Sequence, residues 1–218
     1  MNSTRSEPET NKEARQRSGN WLATAISAMA FIGSALSLWE STIRQAEIKA
    51  YVSANIHYLR DPYGSYEVLV VPVTIANRGA REGAVLSLAL DVKNSATGQI
   101  AKFDSRFMGD AQYFGGRDDV ATNQKRPKLP FAPLSVPSHN AFTGTVLFYP
   151  EDEKKTIEPT SKVEMTLRVV VPPTTGWLER LFSVASAPVT VEAEVPNYHV
   201  GRLLSGDMAR LKVKSGAL

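Results

Sequence analysis

The chain has 218 residues, of which 43% are hydrophobic and 22% charged, with a formal net charge of +3 and a pI of about 9.1. It contains no cysteine, which excludes disulfides and cysteine chemistry. The mild basic excess lacks the interleaved aromatic and basic residues of a nucleic-acid surface, so nucleic acid is not an expected partner.

The first segment, residues 1–19, is polar, mixed in charge and nearly free of large apolar side chains. Such a composition buries too little apolar surface to offset the entropy of folding. The sequence therefore predicts a disordered N-terminal segment.

An uncharged run from Leu22 to Leu38 follows, bounded by Trp21 and Trp39. At about 1.5 Å per helical residue the two indoles lie roughly 27 Å apart, close to the hydrocarbon thickness of a bilayer. We predict one transmembrane helix that acts as a signal-anchor and whose partner is the lipid bilayer. The residues that define this predicted span are Trp21, Phe31, Gly33, Ser37 and Trp39.

Two other interpretations of this run stay open. A cleaved signal peptide has a shorter apolar region with a small-x-small exit, and Ala28-Met29-Ala30 has that form but falls in the middle of the run. A buried helix of a soluble domain has similar composition. The length of the run favours a retained anchor.

Small residues recur at four-residue spacing in the run, as in Ala30/Ser34 and Gly33/Ser37. This spacing lets helix backbones approach closely, and hydroxyls then bond across the contact. It indicates self-association or a protein partner in the membrane, unless the small residues are simply tolerated in a span.

After Trp39 the residues Gln45 to Ala50 are mostly good helix formers, so residues 20–50 are predicted as the transmembrane helix with a short helical stalk. More basic residues precede the span than closely follow it, which favours a cytoplasmic N-terminus. The folded domain is then expected on the periplasmic or extracytoplasmic side.

Residues 51–196 alternate between short apolar strands and turns, and no helical crossover separates the strands. Leu86, Leu88, Leu90 and Val92, for example, recur with period two, as expected of a half-buried strand. The pattern predicts a mainly β protein, an antiparallel sandwich, with residues 197–218 as a C-terminal extension that either finishes the sandwich or forms a basic tail. The predicted strands are 51–59, 66–76, 84–93, 100–107, 141–149, 162–171 and 189–195, and prolines 127, 130, 133 and 137 exclude a central strand between them.

Two segments of this β region, Val71 to Gly79 and Val136 to Phe148, resemble the immunoglobulin-like sandwich modules of bacterial surface and membrane proteins. In those modules one strand ends in Asn-x-Gly, and a later proline turn introduces a strand ending in Phe. The chain also resembles uncharacterised bacterial membrane-anchored proteins with one N-terminal span and such a domain. The resemblance covers residues 51–196 and implies binding or assembly, with no catalytic residues.

Two surfaces are candidates for partner binding. The Asn77-Arg78-Gly79 turn, in which Asn bonds its own backbone and Gly is expected at positive φ, exposes Arg78 and Arg81 for an acidic partner unless it is an ordinary solvated loop. Gly176 to Val184 is predicted as a short amphipathic helix that contacts a partner, the membrane interface or the end of its own domain. Its apolar side carries Trp177, Leu178, Leu181 and Phe182.

Catalytic and metal-binding motifs are missing from the sequence: the histidines 57, 139 and 199 are far apart, and no nucleophile elbow or phosphate loop occurs. We therefore predict a non-enzymatic protein without cofactor or metal. The alternative is a metal-dependent hydrolase that uses carboxylates between Asp104 and Asp119, and a further alternative is a secreted binding domain released by signal cleavage.

Overall fold

The computed structural model describes residues 10–60, 66–109, 129–152, 157–173, 186–204 and 208–214, with backbone alone for residues 10–20. The chain divides into two compact units, Met1–Arg44 and Gln45–Leu218.

The first unit is a helix, α1 (Thr10–Leu38), which continues into a π-helical turn, Trp39–Ile43. The backbone N–H of Arg44 closes that turn on the carbonyl of Trp39 at 2.9 Å. The helix begins at Thr10, inside the segment predicted to be disordered. Lys12 to Gln16 are good helix formers, so helix propensity accounts for the earlier start.

The prediction of a helical stalk up to residue 50 is wrong. Residues after Arg44 leave the helix, and Ile48–Val52 form strand β1 of the second unit. Ile48, Ala50 and Val52 alternate into the core while the strand pairs with residues 73–77. Burial of this alternating face outweighs the helix propensity of the local sequence, which is only a weak preference.

The described part of the second unit is built from strands and one short helix. Its remaining elements are β2 (His57–Arg60), β3 (Glu67–Asn77), β4 (Gly83–Val85), β5 (Ser87–Asn94), β6 (Ile100–Gly109), β7 (Leu129–Pro130), β8 (Leu134–Val136), β9 (Ala141–Pro150), β10 (Lys162–Val170), β11 (Val189–Glu194), α2 (Val200–Leu204), β12 (Ala209–Arg210) and β13 (Lys212–Val213).

All ladders between these strands are antiparallel, which confirms the mainly antiparallel β class. One sheet runs in the order β12-β2-β3-β9-β6-β5-β10-β11-β13, with β1 added to β3 and β7 added to β6. β1 also contacts β11, which lies far from it in that order, so the sheet curls into a barrel-like form.

Strand β6 connects the two halves of this sheet. It pairs with β5 on one edge and with β9 on the other, and its register shifts between Ser105 and Phe107. A bulge of this kind bends a strand and increases its twist, which suits the turn that a curled sheet must make. The eleven strands of this sheet therefore form one continuous ladder, while β4 and β8 pair with each other in a separate two-stranded sheet. The sequence predicted a sandwich.

The core fills the concave side of the sheet. Leu69, Val71 and Val73 of β3 contribute to it from one half, and Leu88 and Leu90 of β5 from the other. A smaller apolar cluster of Val68, Leu147 and Tyr149 lies on the opposite face of β3 and β9.

The described part of the C-terminal extension belongs to the same unit. β12 pairs with β2 and β13 pairs with β11, while Leu203, Ala209 and Leu211 are buried in the core. These residues therefore complete the sheet.

The antiparallel registers define two ends of the second unit. One end holds the first residues of β1, β5 and β9 and the last residues of β3 and β10. We call it the proximal end, because Gln45, the first residue of the unit, lies there. At the other, distal end, the turn from Asn94 to Gln99 joins β5 to β6. Gly98 in that turn has φ +70°, which glycine adopts without strain.

Candidate functional site: the apolar helix and the proximal end

The helical segment Trp21–Ile43 is the candidate membrane element. It has 23 residues with a mean hydropathy of 1.6, and none of its apolar window is buried within the protein. Trp21 and Phe31 are 71% and 75% exposed. The segment is long and apolar enough to cross a bilayer, a property that signal sequences share.

Four small residues of this segment share one side of the helix. Ala30, Gly33, Ser34 and Ser37 line a shallow groove along it, and a Cβ added at Gly33 would meet no other atom. Trp39 is partly exposed at the start of the π-helical turn.

Asn77 organises the proximal end of the second unit. Its buried side chain accepts hydrogen bonds from the N–H groups of Gly79 at 2.9 Å and Glu47 at 3.2 Å, and donates to the carbonyls of Arg81 at 2.7 Å and Val136 at 3.0 Å. The amide oxygen and nitrogen of Asn77 each make two hydrogen bonds. These bonds hold the neighbouring backbone in place, because losing one would leave a buried polar group without a partner, which costs free energy. One side chain thus holds the chain entering β1, the loop after β3 and strand β8.

Gly79 lies against the chain that enters β1. A Cβ at this position would overlap the carbonyl oxygen of Gln45 and come within 2.6 Å of the Cα of Ala46. The expectation that this glycine has positive φ is wrong, since Gly98 is the positive-φ glycine of the described chain. Glycine is required at residue 79 because two backbone segments meet there.

The structure places Arg78 and Arg81 in one loop. Arg78 donates from Nη2 to the hydroxyl of Tyr51 at 2.9 Å, and its backbone N–H donates to the carbonyl of Glu47 at 2.9 Å. Arg81 is exposed, and Glu82 beside it accepts a hydrogen bond from Ser135. The loop is therefore tied down by its backbone while its guanidinium groups lie at the surface.

Apolar side chains are exposed at the same end of the sheet. Leu86, Val170 and Val171 are 40%, 41% and 39% exposed, and the N–H of Leu86 donates to the carbonyl of Val170 at 2.8 Å. The prediction that Leu86 faces the core is wrong. This residue lies between the end of β4 and the start of β5, outside both strands. Trp177, Leu181 and Phe182 lie outside the described residues.

A buried ion pair at the distal end was not found by the sequence reasoning. Arg60 and Glu67 are opposite each other on β2 and β3, 5% and 3% exposed, with Nη2 and Oε1 3.1 Å apart. Tyr58 donates to Glu67 Oε1 at 3.1 Å and accepts from Arg60 Nε at 3.0 Å. The alternation of β3 gives the signal that was missed, since Glu67 shares the inward face of Leu69 and Val71.

Tyrosines on two elements complete this polar cluster. Tyr198 donates to the carbonyl of Ile157 at 2.7 Å, and its ring lies 5.3 Å from that of Tyr58. Burial raises the pKa of the Tyr58 hydroxyl, and the Glu67 carboxylate raises it further. Burial also raises the pKa of Tyr198. Both hydroxyls are therefore neutral donors, and the cluster closes the distal end rather than offering a reactive anion.

Metal ligands are not gathered within the described residues, where no group of three or more His, Asp or Glu side chains is placed to hold an ion. Asp104 pairs with Tyr149 and Ala89 in the sheet. The other aspartates of the hydrolase alternative, residues 110, 118 and 119, lie outside the described residues.

Comparison with known proteins gives little further information. No protein family matches the chain, and no curated protein matches it in sequence. It is similar to the crystal structure of a Bordetella pertussis protein that carries the provisional name ApaA, with 14% identity, a TM-score of 0.28, and coverage of 68% of this chain and 89% of that one. A similarity at this TM-score carries no argument about fold or function.

Proposed function

We propose that this protein is a single-pass membrane-anchored β domain that acts as a non-enzymatic binding or assembly subunit of a bacterial envelope complex. The observation that carries the proposal is the apolar segment Trp21–Ile43, which buries none of its apolar window in its own protein. An exposed apolar surface of this length needs a bilayer or a partner to cover it.

The immunoglobulin-like character of the β domain is part of the same proposal. Strand β6, with its bulge between Ser105 and Phe107, would pass from one layer to the other. The common core of β3 and β5 residues supports two facing layers. In such a domain the loops at the ends of the strands provide the binding surfaces, here the loop with Arg78 and Arg81 and the segment with Trp177, Leu181 and Phe182.

The test is protease protection of the full-length protein in sealed inner-membrane vesicles and in spheroplasts, combined with intact mass. An unprocessed chain that is digested only from the periplasmic side supports the anchored, outward-facing domain. An unprocessed chain digested only from the cytoplasmic side reverses the proposed orientation. A mass shortened by the apolar segment means a released domain and contradicts the anchor.

Assembly through the span is tested separately by cross-linking in membranes. If the face that carries Gly33 packs against a second helix, Gly33→Leu is expected to abolish most of the cross-linked species, because close backbone approach requires small side chains. Ala35→Leu adds similar bulk about 200° away around the helix and serves as the control. Equal cross-linking of wild type and Gly33→Leu would exclude this contact.

A further inference from the structure

We infer that the proximal end of the second unit lies on the membrane surface and binds phospholipid headgroups through Arg78 and Arg81, with Leu86, Val170 and Val171 at the lipid interface. The inference rests on the proposed function, because it requires the segment Trp21–Ile43 to cross a bilayer.

Covalent connection is the first step. One residue, Arg44, separates Ile43, the last residue of the apolar segment, from Gln45, the first residue of the second unit. Two residues span at most about 7 Å. The four residues after Trp39, up to Ile43, add about 6 Å of helix, so Gln45 lies at most about 13 Å beyond the interfacial Trp39. The headgroup layer is roughly 5 to 8 Å thick, which places Gln45 at or just outside its outer edge when the helix spans.

The second step is the attachment of Gln45 and its neighbours to the loop after β3. The backbone of Gly79 lies directly against Gln45 and Ala46. Glu47 accepts the N–H of Arg78 at 2.9 Å and gives its own N–H to Asn77 at 3.2 Å. Because these backbone contacts fix residues 45–47 against the loop after β3, the loop with Arg78 and Arg81 lies at the membrane surface when Gln45 does.

The third step is the chemistry of this end. Guanidinium groups match phosphate oxygens in geometry and charge, and exposed Leu and Val side chains suit the boundary between headgroups and acyl chains. The neighbouring acids are engaged within the unit: Glu47 pairs with Lys49 at 3.0 Å, and Glu82 accepts from Ser135. The distal turn from Ser95 to Gly98 exposes only small or polar residues, but Ile100 just after it is 64% exposed, so attachment to Gln45 together with the two arginines distinguishes the proximal end.

The absence of cysteine makes a direct test simple, because each introduced cysteine is unique. We would attach spin labels to Phe31→Cys in the apolar helix, Ser138→Cys in the proximal turn before β9, and Ala96→Cys in the distal turn. Full-length variants are reconstituted in phosphatidylcholine vesicles with and without phosphatidylglycerol. Power saturation with oxygen and with a water-soluble nickel chelate then gives the depth of each label.

We expect the Phe31 label in the hydrocarbon, the Ser138 label at headgroup depth and the Ala96 label in bulk water. A Phe31 label in the hydrocarbon together with a Ser138 label as water-accessible as Ala96 would overturn this inference and leave the anchor intact. A Phe31 label in water would overturn the anchor, and the inference with it.

The role of the arginines is tested with Arg81→Glu on the Ser138→Cys background. In vesicles with phosphatidylglycerol, this change is expected to raise the chelate accessibility of the Ser138 label at least twofold, because the new carboxylate is repelled by the anionic surface. The control is Lys162→Glu, since Lys162 is an exposed cation at the distal start of β10, where its carbonyl accepts the N–H of Ser95 from the distal turn. Equal shifts in both variants would remove Arg81 from the contact.

Discussion

Arg60 and Glu67 occupy inward positions of neighbouring strands where most residues are apolar. Both charged groups are removed from water. The ion pair between them and the hydrogen bonds with the Tyr58 hydroxyl offset the free energy of that desolvation. Such a pair contributes little compared with an apolar pair of the same size, yet removal of one partner is expensive because the remaining charge stays buried.

Glu67→Ala is therefore expected to lower the free energy of unfolding by about 3 to 5 kcal/mol. Asp91→Ala is the matched control, because Asp91 and Arg168 form an ion pair of 2.8 Å on the outer face of the same sheet. That exposed pair should be worth at most about 1 kcal/mol. Chemical denaturation of the detergent-solubilised protein, followed by circular dichroism, measures both, and similar losses in the two variants would contradict the distinction.

Gly79 illustrates a residue whose role depends on a distant segment. Gly79→Ala is expected to cost about 1 to 3 kcal/mol, because the new methyl group meets backbone atoms of Gln45 and Ala46, which no rotamer change relieves. Gly201→Ala is the control, since a Cβ there meets nothing and alanine favours the helix α2. Thermal unfolding should show a clearly lower midpoint for Gly79→Ala alone.

The sequence predicted the local part of this arrangement but not its distant part. That Asn77 bonds the backbone of its own turn followed from its residue type, and the N–H of Gly79 does donate to it. The contacts with Glu47 and Val136 are set by tertiary pairing, which local chemistry does not encode. The inward charge at Glu67, in contrast, was visible from the period-two phase of its strand.

At the scale of single elements, the apolar helix is the feature that the sequence located best. Its uncharged run and flanking tryptophans were sufficient because a long apolar helix is specified by local composition. Strand β1 was missed for the opposite reason. Its residues favour a helix by themselves, and only pairing with β3 gives their alternation a buried face.

Ile32 lies at the middle of the segment Trp21–Ile43 and is 56% exposed within the protein. Lysine at the centre of a spanning helix costs about 3 kcal/mol relative to a large apolar residue, roughly a hundredfold change in the insertion equilibrium. Ile32→Lys should therefore shift much of the protein from the alkali-resistant membrane fraction to the soluble fraction, whereas Ile32→Leu should not. Full retention of Ile32→Lys in the membrane would argue against a simple lone span.

At the scale of the whole molecule, the antiparallel pairing and the approximate positions of the longer strands followed from alternation and turns, but the number of strands did not, since seven were predicted and the structure describes thirteen. The order of strands did not follow either, because β6 must be paired on both edges to join the halves of the sheet. The pairing of β6 with both β5 and β9 depends on the bulge between Ser105 and Phe107 and on contacts between residues far apart in sequence. Likewise β12 and β13 are too short to be recognised by periodicity, yet they extend both ends of the sheet order.

The separation into two compact units makes a prediction about the second one. Residues 45–218 keep every strand of the sheet and the contacts of Gln45 and Glu47 with the loop after β3, so this fragment should fold without the helix. Residues 53–218 lack β1, which removes the buried Ile48 and Val52 and leaves half of one edge of β3 unpaired.

Loss of the two large side chains alone should lower the free energy of unfolding of the shorter fragment by at least about 3 kcal/mol. Unpaired backbone groups at the new edge also favour association between copies. Size-exclusion chromatography and urea denaturation of both fragments test this directly. Equal stability would mean that β1 is dispensable, and failure of residues 45–218 to fold would mean that the β unit depends on the helix that precedes it.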